Sequence, residues 1–215
     1  MTTITHHPDE ALLAAYAAGS LDLGEHVAIA THLASCAHCR AWARSLERIG
    51  GALLDEQPPA ALSDGALERT LARLNEVAAV SPPAAGVLPD APPGLPQFVR
   101  GYAFGPWRRL APRISVRPIR LPEPSSTRVF LLKSAPGAKL VQHEHTGLEM
   151  TCVLSGAFSH EGGRFGPGDF DLGDPAVTHE PHIEAGGDCV CLVAMQGDLR
   201  FSGFIGRLMQ PFVRL

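Results

Sequence analysis

The sequence predicts a two-domain α+β protein, with an all-α half of four helices followed by an all-β half built as a sandwich or barrel. Three observations carry this. Residues 1–79 are rich in Ala and Leu and hold Pro only at positions 8, 58 and 59. Residues 81–96, SPPAAGVLPDAPPGLP, are too dense in proline for a helix or a central strand and read as a semi-rigid extended linker. Beyond residue 98, short apolar runs alternate with Gly, Pro and Asp turns. The boundaries drawn from these shifts are a helical domain over 1–79, a linker over 80–97 and a β-domain over 98–215.

The first helix is expected over Ala11–Ala18. It follows Pro8-Asp9-Glu10, a start pattern with acids in the first turn, and Gly19 stops it. A second is expected over Leu23–Leu33 and a third over His38–Leu54, ending before Pro58-Pro59. Ser63 reads as the N-cap of a fourth. There Leu67, Leu71, Leu74 and Ala78 recur at i, i+4, i+7 and i+11 and make one apolar stripe. In the second half, Val129–Leu132, Leu148–Leu154 and Val190–Val193 read as strands.

Bulk composition narrows the function. The 215 residues are 45% apolar with a net charge of −4, so sequence-blind nucleic-acid binding is not expected as the main activity. No apolar run approaches the roughly 20 residues of a membrane span. The start, MTTITHHPDE, lacks a basic, apolar and small-residue order, so no secretory signal is expected and the expected location is the cytoplasm. Five cysteines in such a compartment favour metal or redox use over a disulfide framework. Charge is unevenly spread: residues 100–128 hold seven arginines and one acid. That run reads as a protected sheet edge or as a docking face for an acidic surface.

Two constellations carry chemistry. The first is His32-Leu-Ala-Ser-Cys36-Ala-His-Cys39, an HxxxCxxC spacing. On a helix, i, i+4 and i+7 share a face, so two thiolates and an imidazole converge, a donor set that suits tetrahedral zinc. The fourth ligand comes from upstream, where His7 is preferred to His6 because it abuts the Pro8 helix start. His26 and His38 are weaker alternatives. A metal would also hold together a thin, Ala-rich core.

The second is Gly137-AKLVQ-His143-E-His145-TGL-Glu149-MTCVLS-Gly156. His143 and His145, at i and i+2 on a strand, point to one face. The Thr146-Gly147 bend brings Glu149 to the same interior, and His179 arrives after the turn Gly166-Pro-Gly-Asp169. Three imidazoles and a carboxylate suit Zn, Fe, Mn, Ni or Cu. Cys189 and Cys191 share a strand face, where a disulfide would be strained, and read as buried strand thiols. Cys152 is expected to face away from Glu149.

These patterns resemble known families. Gly137–Gly156 matches the first cupin motif, G(x)5HxH(x)3E(x)6G, without a gap. The second cupin motif is matched at Gly168 and His179, with Asp174, Ala176 and Ile183 standing at framework positions normally held by Pro, Gly and Asn. HHPDEALLAAYAAG followed by ATHLASCAHC resembles the zinc-binding anti-sigma domain. The ordered pair resembles ChrR-type anti-sigma factors. The resemblance implies a cupin-like β-barrel holding zinc or another divalent transition metal on His143, His145, Glu149 and His179. It also implies zinc on His7, His32, Cys36 and Cys39. The helical domain would clamp an extracytoplasmic-function (group IV) sigma factor, with Leu67, Leu71 and Leu74 as anchors or as plain core. The barrel would sense oxidative or photooxidative stress. The readings set against this are a metal-dependent cupin enzyme, a dioxygenase or isomerase with a helical appendage, and a zinc module binding DNA directly. The acidic helical half speaks against the last.

Overall fold

Asp9 opens the first helix, α1 (Glu10–Ala17), by accepting the Leu12 N–H at 2.7 Å. Asp22 opens α2 (Leu23–Ser35) through a full capping box with Glu25. Next come α3 (Ala37–Asp55) and α4 (Ala66–Asn75). The computed structural model describes residues 3–75, 90–140, 143–173 and 180–201, with the side chains of 75, 143–145 and 199–201 left aside. Helices α1 to α3 pack around Leu13, Val27, Leu33, Cys36, Cys39 and Ala43. Helix α4 begins three residues after Ser63, and Ser63 is not its cap. Ser63 instead starts a turn through Gly65, which has φ +70°, and its hydroxyl accepts from Arg69 at 2.6 Å. Ala78 and most of the expected linker, 80–89, lie outside the described residues. Its remainder packs on the β-domain, where Leu95 is buried and Asp90 pairs with Arg117 at 2.8 Å.

The second half holds twelve described strands: β1 (Ala103–Phe104), β2 (Arg108–Ala111), β3 (Ile114–Arg120), β4 (Arg128–Ser134), β5 (His143–His145), β6 (Glu149–Ser155), β7 (Phe158–His160), β8 (Gly163–Phe165), β9 (Phe170–Gly173), β10 (His182–Ile183), β11 (Cys189–Met195) and β12 (Leu199–Phe201). All pairings are antiparallel. The main sheet runs β1-β3-β4-β11-β6-β9 with β2 on the flank of β3; β10-β7-β8 and β12-β5 form separate sheets. A cupin-like antiparallel domain is therefore present, but the expected closed barrel is not formed among the described residues. The short strands β7, β8 and β10 pair with one another and not with the main sheet.

The period of two along the central strands sorts side chains between two cores. From β11, Val190, Leu192 and Ala194 join Met150, Cys152 and Leu154 of β6, Phe170 of β9, and the buried residues of α2. From the opposite face, Cys189, Cys191, Val193 and Met195 join Val153, Phe158, Phe165 and Ile183. One apolar cluster thus unites the helices with the outer face of the main sheet. Polar contacts fix the junction at the start of α2. Asp22 accepts from Ser125 Oγ at 2.7 Å and from the Ser126 N–H at 2.8 Å, and Gln196 donates to Glu25 at 2.8 Å. Gly24 lets the backbones meet, because a Cβ there would lie 2.6 Å from the Thr127 carbonyl oxygen.

Burial alone would raise the Asp22 carboxyl; hydrogen bonds from Ser125, Ser126 and Thr127 outweigh it and hold it well below the usual range. Its contribution is therefore present above about pH 4 and fades as pH falls through the lowered folded value. Asp22→Ala removes both a cap and this latch and is expected to cost about 1–3 kcal/mol. Urea unfolding of the two proteins checks this; an unchanged midpoint contradicts it. None of the described helices is long and apolar enough to cross a membrane.

Candidate metal centre

Cys36 sits where α2 meets α3. It is extended (φ −96°, ψ 106°), and it ends one helix and caps the next, its sulfur accepting the Cys39 N–H at 3.4 Å. The HxxxCxxC residues thus do not share one continuous helix, as the spacing alone suggests. A break at Cys36 turns the chain, so His32 from the last turn of α2 and Cys39 from the first turn of α3 face a common point. His7 reaches the same point from the segment before α1. Its Nδ1 lies 3.5 Å from Cys36 Sγ and 3.4 Å from Cys39 Sγ. One donor atom from each of His7, His32, Cys36 and Cys39 lies within 4.8 Å of all the others. A tetrahedral zinc with ordinary bond lengths has sulfur–nitrogen edges of roughly 3.6 Å, so the two His7–sulfur distances match it, and the other donors lie close enough for a small adjustment to complete the site.

The protonation pattern fits a metal as well. His32 is wholly buried, and its Nδ1 bonds the Gly168 carbonyl oxygen at 2.9 Å. That contact places the proton on Nδ1 and leaves the Nε2 lone pair toward the cluster, and Nε2 has no hydrogen-bond partner. Burial lowers His32 to about 4, so the ring is neutral at physiological pH. Burial, and then the neighbouring Cys36 sulfur, push the Cys39 thiol up to about 12. A bound dication would supply the charge that holds the thiolate form. Metal binding must therefore expel the Cys39 proton, and protons compete with the metal. Apparent zinc affinity is expected to fall at least about tenfold per unit drop in pH across the neutral range. Chelator competition at several pH values measures this, and a flat profile contradicts it.

His6, the rejected alternative, packs its ring 4.1 Å from Phe165, while His26 stacks on Tyr16 at 4.5 Å. His38 lies with its ring 5.4 Å from that of His7 and outside the four-donor group. The sequence reading missed Gly168 and Asp169 as neighbours of this centre. They were legible only as a turn, since their contacts span more than 130 residues of chain.

The second constellation is described in part. His143 and His145 lie on β5, opposite Phe201 and Leu199 of β12, and their side chains are outside the described atoms; His179 is outside the described residues. Glu149 lines a cavity with Thr151, Asp171, Cys189 and Cys191, and accepts from Thr151 Oγ1 at 3.1 Å. Sequence reasoning did not anticipate Asp171, whose Oδ2 lies 3.0 Å from His160 Nε2. The Gly162 N–H donates to His160 Nδ1, so the Nε2 proton points to Asp171. Cys189 and Cys191 are buried free thiols with sulfurs 3.8 Å apart, and Cys152 packs on the opposite face, toward the helices.

With this geometry in place, comparison with known proteins is informative. Residues 98–197 match the family model of the ChrR cupin-like domain, and residues 10–40 match a zinc-finger family model. The anti-sigma-E factor ChrR of Cereibacter sphaeroides is 42% identical over 214 residues, 99% of this chain and 100% of that protein. The crystal structure of Rhodobacter sphaeroides SigE in complex with the anti-sigma ChrR contains a chain 36% identical, matching 90% of this chain and all of that one with a TM-score of 0.75. Both of these relatives, which span the two halves, are named as anti-sigma factors. The chain belongs to the ChrR family of anti-sigma factors, with a helical zinc-finger-type half joined to a cupin-like half.

Proposed function

We propose that this protein is a zinc-dependent anti-sigma factor of the cytoplasm that sequesters an extracytoplasmic-function (group IV) sigma factor. The units that do so are the helical domain, 1–79, and the sensor domain, 98–215, joined by 80–97. The observation that carries this reading is the uncovered apolar surface of α3, α4 and the segment between them. Trp42, Ile49 and Leu53 follow i, i+7 and i+11 on α3 and are all exposed. Leu67, Leu71 and Leu74 on α4 are 64%, 50% and 74% exposed, so they are not domain core. Leu54 and Leu62 extend the surface between the helices. A soluble chain does not leave two amphipathic helices bare on their apolar faces without a partner to cover them. The complex of SigE with a ChrR relative supports a sigma factor as that partner.

Zinc on His7, His32, Cys36 and Cys39 makes metal affinity part of the folding free energy of the domain that presents this surface. In the β-domain, His143, His145, Glu149 and His179 are proposed to hold zinc or another divalent transition metal. A stress signal, oxidative or photooxidative, alters that site and lowers affinity for the sigma factor. Release requires that the two states bind the sigma factor differently. Added in equimolar amount to sigma-dependent transcription in vitro, the purified chain is expected to stop it; undiminished transcription contradicts the reading. Glu149→Gln is expected to keep inhibition while losing release under stress. Normal induction in cells carrying that variant would move the sensor away from the cavity.

A further inference from the structure

The four donors of the helical cluster are held from two sides. Cys36 and Cys39 are fixed by the α2–α3 break, within the helical half. Both histidines are fixed by one turn of the β-domain, residues 166–170. The Gly168 carbonyl oxygen accepts from His32 Nδ1. His7 hangs on the short segment 3–7, which is pinned to the same turn. Asp169 is 4% exposed, and its Oδ1 accepts the N–H groups of Thr5 at 2.7 Å and His6 at 2.9 Å. Its Oδ2 accepts the Gly166 N–H at 2.8 Å, which locks the carboxylate in place. The Phe170 N–H donates back to the His6 carbonyl oxygen at 3.1 Å. Gly168 has φ +92°, a conformation that residues with a Cβ rarely adopt, and the Ile4 side chain packs directly over it.

We infer that the 166–170 turn is a working part of the helical zinc centre, with Asp169 as a positioning residue that sets how tightly His7 can hold the metal. The inference rests on the zinc reading above and deepens it. The cupin-like half thereby gains a direct hold on the centre that shapes the sigma-binding half. Two residues beyond Asp169, on β9, Asp171 lines the cavity with Glu149. The segment that fixes the zinc ligands therefore continues into the wall of the sensor cavity.

The test is the rate at which full-length, zinc-loaded protein yields zinc to an excess of chromophoric chelator. Outer-shell partners of metal ligands are typically worth about 10–100-fold in affinity, so Asp169→Ala is expected to release zinc faster by about that factor. Asp169→Asn, which keeps an acceptor for Thr5 and His6, is expected to restore part of the loss. Thr5→Pro removes the Thr5 N–H and hydroxyl that donate to Asp169 without substituting a β-domain residue and is expected to accelerate release several-fold. It decides the matter if Asp169→Ala does not fold. In the cobalt-substituted protein, the visible bands are expected to change in the Asp169→Ala variant. Val193→Ala is the control: it thins the inner core of the β-domain, away from the turn, and is expected to leave the rate unchanged. Wild-type rates in both Asp169→Ala and Thr5→Pro would overturn the inference while leaving the zinc reading standing. So would equal acceleration by Val193→Ala, which would reduce the effect to general loosening. A wild-type chain that binds no zinc in the helical half would remove the zinc reading and the inference together.

Discussion

Cys39→Ser is expected to empty the helical zinc centre and to abolish inhibition of the sigma factor. The donors come from three separate pieces of chain, the segment before α1, the end of α2 and the start of α3, and no disulfide joins them. The helices' own share of the core around them is small, chiefly Leu13, Val27, Ala28, Ile29, Leu33 and Ala43, the rest of that cluster coming from the β-domain. Structural zinc in small domains contributes roughly 10–16 kcal/mol of apparent binding free energy, far more than such a core supplies. Losing one of the four ligands, and one of only two thiolates, forfeits much of that and leaves the buried His32 Nε2 without a partner. Cys36→Ser is expected to do the same while still capping α3, because a serine hydroxyl accepts the N–H groups of the first turn well. Elemental analysis, helical circular dichroism and a sigma-dependent reporter check the outcome. Variants that keep full inhibition would show that zinc is not needed to form the recognition surface.

The second large effect is expected at the exposed apolar stripes. Leu67→Glu with Leu71→Glu on α4, or Trp42→Glu on α3, is expected to weaken sigma binding by a factor of 100 or more while leaving thermal stability within a degree or two. A side chain open to solvent over two fifths or more of its surface, as these three are, contributes little to its own fold, so its replacement costs the chain little. The same side chain, buried in a partner's groove, is the type that dominates binding energy, and a charge placed there must be desolvated unpaired. A large drop in stability would instead show that these residues pack within the chain. Wild-type affinity would show that the sigma factor binds elsewhere.

Much of this was legible in local pattern. The Asp9 start, the i, i+4, i+7 stripe of Leu67, Leu71 and Leu74, and the runs that became β4, β6 and β11 follow from periodicity and capping, which act within a few residues. The His7–His32–Cys36–Cys39 group was readable because three of its members lie within eight positions. What escaped was long-range. β7 and β8 make a local hairpin, but the addition of β10 joins segments more than 20 residues apart. The junction of Asp22 with Ser125 and Ser126, and that of Asp169 with Thr5 and His6, join residues more than 100 apart and leave no periodic trace. The arginine-rich stretch over 100–128 was also ambiguous. In the fold, Arg117 pairs with Asp90 and Arg128 with Asp198, so among the described ion pairs these arginines serve the β-domain and the linker segment packed on it and not the acidic helices.

The central claim is that a metal-held helical domain grips a sigma factor, and co-expression with candidate group IV sigma factors followed by metal analysis tests it most directly. The account predicts a one-to-one complex that carries zinc and falls apart when a strong chelator strips the metal. A chain that purifies alone from every such co-expression, or a complex that survives complete removal of zinc, would contradict it.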